Sequence, residues 1–355
     1  MFTLLKWILK LASTALVLVL VLAIGLVSWL SITEYTPAER EVIPAQIGNQ
    51  NLSDIDLGQE LTVYSWNIGY AGLGQDADFF MDGGQMVDPP SQQSVENNMA
   101  AILAFISAQD ADAWLLQEVD VDSSRTEGMD QFSLLQSQWD GTSGFAYNYK
   151  CPFVPYPLPP LGQMESGIAT LTRLETSSEM TRISLPCPFS WPIRAAQIKR
   201  CLLVSRLPIE GTDKELVLIN LHLEAYDDGE GKIAQTNLLM DVLQEEYTKG
   251  NYVIAGGDFN QSFPGTLERY TIADSEKWTP GALEENILPE GWQFAYDSSS
   301  PTCRLLDKPY DETNQLYVID GFILSPNLQL KAVETVDLDF ENSDHNPVRL
   351  QVVLN

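Results

Sequence analysis

The sequence predicts an α/β chain whose sheets are covered by helices, set behind one N-terminal helix that crosses a membrane. Two observations carry this reading. Val-, Ile- and Leu-rich runs of strand length alternate with helical patterns, and an uncharged apolar run, LASTALVLVLVLAIGLVSWLSIT, fills positions 11–33. Charge adds a third: 20 basic residues face 49 acidic ones, a net charge of −29. Hydrophobic residues make up 45% of the chain, enough for a sizeable core. Nothing in the composition is collagen-like, low-complexity or disordered in bulk.

The N-terminal run comes first. A helix needs roughly 20 apolar residues to cross a bilayer. Lys6 and Lys10 precede the run and Glu34 follows it, so the excess of positive charge puts the amino end in the cytoplasm and the rest of the chain outside. A cleaved signal peptide is the alternative. Its apolar region is usually about 7–15 residues, shorter than this one, and no small-x-small cleavage site is evident. Residues 1–33 are therefore read as an uncleaved, single-pass anchor. Residues 34–60, polar and broken by Pro37 and Pro44, are read as a juxtamembrane stalk. Residues 61–355 show no internal boundary or repeat and are read as one extracytoplasmic domain.

Within that domain LTVYSWNIGY opens as a strand. SVENNMAAILAFISAQ follows as a helix with Met99, Ile102, Leu103 and Ile106 on one face and Ser94 as its N-cap. AWLLQEVD and LVLINLHLEA read as buried strands, and residues 231–247 as a helix carrying Leu239, Val242 and Leu243. NYVIAGGDFN, LYVIDGFILS and PVRLQVVL complete the strands. Two segments are irregular. CPFVPYPLPPLGQ, at 151–163, holds five prolines and is excluded from helices and central strands. LPCPFSWPIRAA, at 185–196, resembles it. Both are read as surface loops with exposed aromatics, structural in the first place, with shaping a substrate entrance or touching lipid as the functional alternative. The four cysteines lack CxxC spacing, which argues against zinc. Cys151 and Cys187, in matching CPF triplets, are candidates for a disulfide, with buried free thiols an equal reading.

The chemistry lies in polar residues at strand ends. Asn67 ends YSWN, Glu118 ends LLQE and His222 interrupts LINLHLE. Asp258 and Asn260 end VIAGGDFN, Asp320 sits inside YVIDGFIL, and Asp344 and His345 precede the last strand. An unpaired charge in such runs is costly, and one shared pocket at the sheet ends explains them together. Side chains two apart on a strand point the same way, so Asp258 and Asn260 can face one ligand. Gly256 and Gly257 leave room for a close approach, while Asn342, Ser343 and Pro347 favour a turn that lets Asp344 and His345 both reach the pocket. Carboxylates with carboxamides and no thiol suit Mg²⁺ or Mn²⁺. Two histidines, the only ones in the chain, suit proton transfer and stabilisation of phosphorane-like charge.

In order along the chain, SWN, LLQEV, LHLE, GGDFN, VIDGFILS and SDHNPV resemble the endonuclease/exonuclease/phosphatase superfamily with its DNase I-like fold. The resemblance runs from about residue 61 to the C-terminus. It implies a four-layer sandwich, two packed mixed β-sheets flanked by helices, with the site at one edge. It further implies metal-site roles for Asn67, Glu118 and Asp344, with Glu118 the main ligand. Asp258 would orient or activate the attacking water, and Asn260 would help position the phosphate. His345 would act at the scissile phosphate with Asp320 orienting it, and His222 would be the other phosphate-contacting histidine. Glu165, in MESGIATLTR, would match a second histidine-supporting carboxylate of some members.

The superfamily spans nucleases, phosphatases and phosphodiesterases, so the fold does not select a substrate. The charge does more, because phosphate backbones are bound mainly through Lys and Arg. Long nucleic acid is disfavoured. Between 173 and 206, however, six cations (Arg173, Arg182, Arg194, Lys199, Arg200, Arg206) face only Glu175 and Glu179, a local charge of +4. Arg173, Arg194 and Arg200 are candidates for a phosphate-gripping wall, with a solvated hairpin face as the plain alternative. The sequence thus points to a monomeric, membrane-tethered, Mg²⁺- or Mn²⁺-dependent hydrolase of a small phosphoester or lipid headgroup. An extracellular nuclease and an inactive phospholigand-binding domain are the alternatives.

Overall fold

A computed structural model describes residues 2–48, 52–227 and 229–355. After helix α1 (Phe2–Ile32) come strands β1 (Arg40–Pro44), β2 (Gln46–Ile47) and β3 (Glu60–Asn67), then helix α2 (Gln92–Ala108) and β4 (Ala113–Asp120). Helix α3 (Gln131–Gln138) precedes β5 (Thr142–Val154), β6 (Gly162–Thr172), β7 (Glu179–Ser184), β8 (Cys201–Pro208) and β9 (Glu215–His222). Helix α4 (Glu230–Thr248) leads to β10 (Tyr252–Asp258), β11 (Gln293–Ala295), β12 (Asp320–Leu324), β13 (Leu328–Thr335) and β14 (Val348–Leu354). These strands form two seven-stranded sheets, ordered β1-β7-β8-β9-β10-β12-β11 and β13-β14-β3-β4-β6-β5-β2. Both are mixed: β9 and β10 pair in parallel, as do β3 and β4, within otherwise antiparallel ladders.

Period-2 alternation builds the layers. Leu216 and Leu218 point between the sheets, where they meet Leu61, Val63, Leu115, Ile254 and Leu350. Val217 and Ile219 point outward beneath Leu239, Val242 and Leu243 of α4. On the far side, Met99, Ile102 and Ile106 of α2 and Phe132 and Leu135 of α3 cover Trp66, Trp114 and Leu116. The order is helix, sheet, sheet, helix. Because helices or the partner sheet cover both faces, the central strands read as unbroken apolar runs.

Three expectations are corrected. The N-cap of α2 is Ser91: its Oγ accepts from the Ser94 backbone, and the Ser94 Oγ accepts from the Ser91 backbone, a reciprocal capping box. Residues 151–154 continue β5, so the irregular part of the proline-rich segment is confined to 155–161. Residues 34–60 are not a free stalk. Strand β1 pairs with β7 and β2 with β5, closing one edge of each sheet, while Ser53 and Ile55 bridge to Leu174 and Ile209. Ile55 is fully buried in the central core. Residues 49–51 of the expected stalk lie outside the described residues.

Helix α1 is long and apolar enough to cross a membrane, and its end is built into the domain. Leu30 is buried with Cys151, Val154, Met164 and Ala195. Trp191 Nε1 donates to Ser31 Oγ at 2.9 Å, and Glu34 is paired by Arg194 at 2.9 Å and Lys199 at 3.2 Å. All four cysteines are free thiols.

One glycine pair sets how closely the site strands approach. Gly257 has φ +152, and a Cβ there would lie 1.9 Å from the Leu221 carbonyl oxygen; at Gly256 it would lie 2.3 Å from the Phe322 ring. The close neighbours are thus strand β9 and a core ring, not a ligand. Gly257→Ala should lower stability by about 2 kcal/mol or more, the cost of overpacking at an incompatible φ. Denaturant unfolding of the purified protein measures this, and an unchanged midpoint would show that the strands can spread to accept a methyl group.

Candidate active site

Strand register assembles half of the site. Asp258, the last residue of β10, is paired with His222 on β9 and with Asp320 on β12, so three neighbouring strands present the three side chains abreast. The second sheet supplies Asn67, ending β3, and Glu118 on β4. Glu118 sits at a bulge: Leu116 opposes Ala169 and Val119 opposes Gly167, leaving Gln117 and Glu118 against one partner. Its φ of +54, in the left-handed region, is strained for a residue with a Cβ. From across the interface, Asn220 Nδ2 donates to the Leu116 carbonyl at 3.1 Å and the Ala169 carbonyl at 2.8 Å, groups that flank the disrupted ladder. Asp344 and His345 lie in the turn before β14. Trp66 Nε1 donates to the His345 carbonyl at 2.9 Å, and Arg304 N–H to the Asp344 carbonyl at 3.1 Å.

These side chains form one connected network. Asn67 Oδ1 accepts from Gly69 N–H at 3.0 Å, which fixes the amide orientation. Its Nδ2 then donates to Glu118 Oε1 at 3.1 Å and Asp258 Oδ2 at 3.0 Å. Asn67, expected as a metal-site residue, thus bridges two carboxylates of the site. Asp258 Oδ1 accepts from Asn260 N–H at 2.8 Å, with Asn260 also at positive φ, +50. His222 Nε2 lies 3.3 Å from Asp258 Oδ2. His345 Nδ1 meets Asp320 Oδ2 at 2.8 Å, which leaves its Nε2 3.8 Å from both Asp258 and Asp344.

Burial and neighbouring charge separate the two histidines. For His345, burial opposes protonation but Asp320 and the other acidic neighbours outweigh it, so its pKa lies well above the ordinary value. For His222, burial is reinforced by Arg200 and by His345 itself, and its pKa falls well below. One imidazole is held charged and the other neutral. Burial, with Asp320 adding to it, pushes Asp258 up to about 6.

The donor set fits a hard divalent cation. Burial pushes Asp344 up to about 7, and the Glu118 carboxylate adds to the rise even though His345 opposes it. Carboxylates crowded in a buried cavity are relieved by a cation that accepts their oxygens. Cys303 Sγ also lies within 4.8 Å of ligating atoms of Asp344 and His345, but burial raises this thiol to about 12. It is therefore a neutral neighbour and not a thiolate ligand.

A cavity of about 580 Å³ opens over this cluster, with Glu118, His222, Asp258, Asn260, Asp344 and His345 in its wall; Asn67 and Asp320 stand behind them. Of the basic candidates only Arg200 joins the wall. It is buried, and among the described residues its Nε has no hydrogen-bond partner, although Glu224 lies 3.8 Å away. Arg173 follows the end of β6 that pairs with the start of β4, the edge opposite Glu118, where it stacks on Trp139. Arg194 is paired with Glu34. Arg182 is buried among backbone carbonyls, and Arg206 is held by Glu215 and Glu246. The local positive charge is therefore largely neutralised in the fold and does not form a wall. Glu165 pairs with Lys150 outside the cavity.

Sequence reasoning missed several wall residues. Tyr226 donates to Asp82 Oδ1 at 2.9 Å, and burial lifts Asp82 to about 6. Arg125 stacks 3.4 Å above the Tyr70 ring and binds Asp120 through two nitrogens. All but Asp120 line the cavity. They lie in a loop and in single 3-10 turns too short for a hydrophobic period, so only the polar-in-apolar signal that marked the strand ends could have found them, and it is absent there.

The comparisons with known proteins agree with this architecture. A structure of an endonuclease/exonuclease/phosphatase from Beutenbergia cavernae DSM 12333 superposes with a TM-score of 0.58 at 18% identity, covering 84% of this chain and 72% of that one. ANGEL2, described as a 2′,3′-cyclic phosphatase, gives 0.54 at 16% identity over 90% and 99% of the two chains. TDP2 from C. elegans gives 0.51 at 18% identity over 86% and 77%. At these identities the likeness shows the fold. A comparison with curated protein sequences found no match. The family model described as "Endonuclease/Exonuclease/phosphatase family" matches residues 64–345, from the strand that ends in Asn67 to His345 itself, and the chain belongs to that family.

Proposed function

We propose that this protein is a metal-dependent phosphoester hydrolase, held in a membrane by its N-terminal helix, that acts outside the cytoplasm on a small or lipid-linked phosphoester. The observation that carries the reading is the buried His345–Asp320 pair facing Asp258 across one cavity, with Glu118 and Asp344 in the same wall. Family membership supports hydrolysis, and a fold neighbour described as a cyclic phosphatase supports phosphoester chemistry.

Each residue has a task in this reading. Glu118 and Asp344 would hold Mg²⁺ or Mn²⁺, which when bound neutralises phosphate charge and polarises oxygen. Asp258 accepts the proton of the attacking water through Oδ2, the oxygen on which Asn67 and His222 converge. Asn260 holds the other oxygen of Asp258 and thereby its direction. His345, kept protonated and oriented by Asp320, presents its Nε2–H to the charge that develops on phosphorus oxygens. His222 stays neutral and donates within the site. Arg200, whose buried Nε is unused among the described residues, would hold a phosphate oxygen.

Three outcomes are expected. Hydrolysis in a phosphoester panel should stop in excess chelator and return with Mg²⁺ or Mn²⁺, while Asp258→Asn and His345→Ala each lower kcat by about 10²–10⁴-fold in folded protein. Full activity in chelator would remove the metal from the scheme, and normal turnover by either variant would remove that residue. The full chain should stay with membranes through alkaline carbonate washing. A mature protein beginning near residue 34 would instead make the helix a signal peptide.

The third concerns size. Net charge opposes a long polyanion beyond a Debye length of about 8 Å at physiological salt, whereas a compact phosphoester escapes most of that repulsion. A phosphorylated headgroup or short nucleotide should therefore exceed duplex DNA in kcat/KM, with the margin widening from roughly 300 mM down to 20 mM salt. Duplex DNA as the better substrate, and best at low salt, would make the protein a nuclease.

A further inference from the structure

The cavity is larger than a phosphate requires, and its far half is apolar. Away from His345 it runs to the end of α1, where Leu26, Val27, Leu30, Tyr156, Leu161 and Ile193 line it. An apolar recess open to water is unfavourable unless something fills it. The occupant is indicated by where this recess lies. The uncharged run begins at Leu11, and roughly 20 residues from there bring the chain to the outer face of a bilayer, at the level of Leu30 and Ser31. Around that level the two proline-rich loops hold out apolar side chains: Leu158 is 89% exposed, Tyr156 66%, and Trp191 and Ile193 60% each. Trp191 donates to Ser31 from this position, as aromatic residues do at membrane interfaces.

Resting on the hydrolase reading above, we infer that the substrate is an amphiphile, a phosphoester of a long hydrocarbon chain drawn from the outer leaflet. Its chain lies in the recess between the last two turns of α1 and the loops at 155–161 and 189–196, and its phosphate reaches His345 and the carboxylates. The helix is then part of the substrate site as well as an anchor. The tail need not enter water on the way, because the mouth of the recess stands where the hydrocarbon ends.

The test uses the full chain in lipid nanodiscs and a series of p-nitrophenyl alkyl phosphates with chains of two to ten carbons. Each buried methylene contributes about fourfold, so roughly every three to four methylenes seated in the recess should raise kcat/KM on the order of 100-fold, until the recess is filled. Longer esters also partition into the nanodisc, which alone would produce a rise. Two plugging variants on different elements, Val27→Trp and Ala196→Trp, separate the effects because partitioning is the same for both. They should lower kcat/KM for the long esters at least tenfold more than for the short ones. A chain-length preference that survives both plugs, or no preference in the wild type, overturns the inference. Should no ester be hydrolysed, the hydrolase reading fails separately, and an alkyl phosphonate with a diazirine in its chain tests the recess by crosslinking. Labelling of Leu26–Leu30 and Ile193–Ala196 that is lost in the plugged variants upholds it. Labelling confined to the exposed stretch Leu4–Ile24, or indifferent to the plugs, overturns it.

Discussion

A buried carboxylate persists only where its neighbours do the work of water, and Asp258 is solvated from both sheets at once. Its Oδ2 takes a hydrogen bond from Asn67 on one sheet and lies beside His222 on the other, while its Oδ1 takes the backbone N–H of Asn260. The same Asn67 amide reaches Glu118. If the sheets slid past one another, Asp258 would lose the Asn67 donor, while the Asn67–Glu118 bond, made within one sheet, would be left without its partner across the interface. The apolar layer between the sheets, from Leu61 to Leu354, holds the spacing that these few polar bonds require. The core therefore positions the site, and the site in turn is intolerant of any shift in the core.

Strain is concentrated at the same edge. Glu118 and Asn260 both occupy the left-handed region, one at a bulge and one just past a strand end. Each would be more comfortable elsewhere, at a typical cost of about 1–3 kcal/mol. Asn220 offsets part of this by bonding two carbonyls beside the bulge, and Gln117 Nε2 donates back to Asn220 Oδ1 at 2.8 Å. A pair of carboxamides in the middle of an apolar interface would otherwise be hard to account for. Its position explains it: it keeps open the kink that turns Glu118 toward the cavity.

The layers and the strand-end residues were legible because burial leaves two marks in sequence, apolar period and polar exceptions to it. His222, Asp258, Asp320 and His345 are such exceptions, and the structure brings them together. What was hidden depended on partners far along the chain. The arginines of 173–206 look like a free positive patch until Glu34, Glu215 and Glu246 are folded onto them. Residues 40–47 look like a stalk because edge strands are short and largely exposed, and the ladders that define them are made with residues 95 to 143 positions later. Arg125 and Asp82 sit in single 3-10 turns and Tyr226 in a loop, where neither mark exists.

The join between α1 and β1 has a mechanical consequence. Glu34 is clamped by two cations, Tyr35 lies edge-on to Tyr147 at 6.3 Å, and β1 starts at Arg40. That leaves no slack for a swivel. A domain on a loose leash samples every orientation and meets its targets by three-dimensional diffusion of its own surface. With α1 as the proposed membrane anchor, a domain welded to it would present a single face to the bilayer, and its encounters would become a two-dimensional search in which lateral drift, and not tumbling, sets how often the cavity mouth meets a molecule in the leaflet.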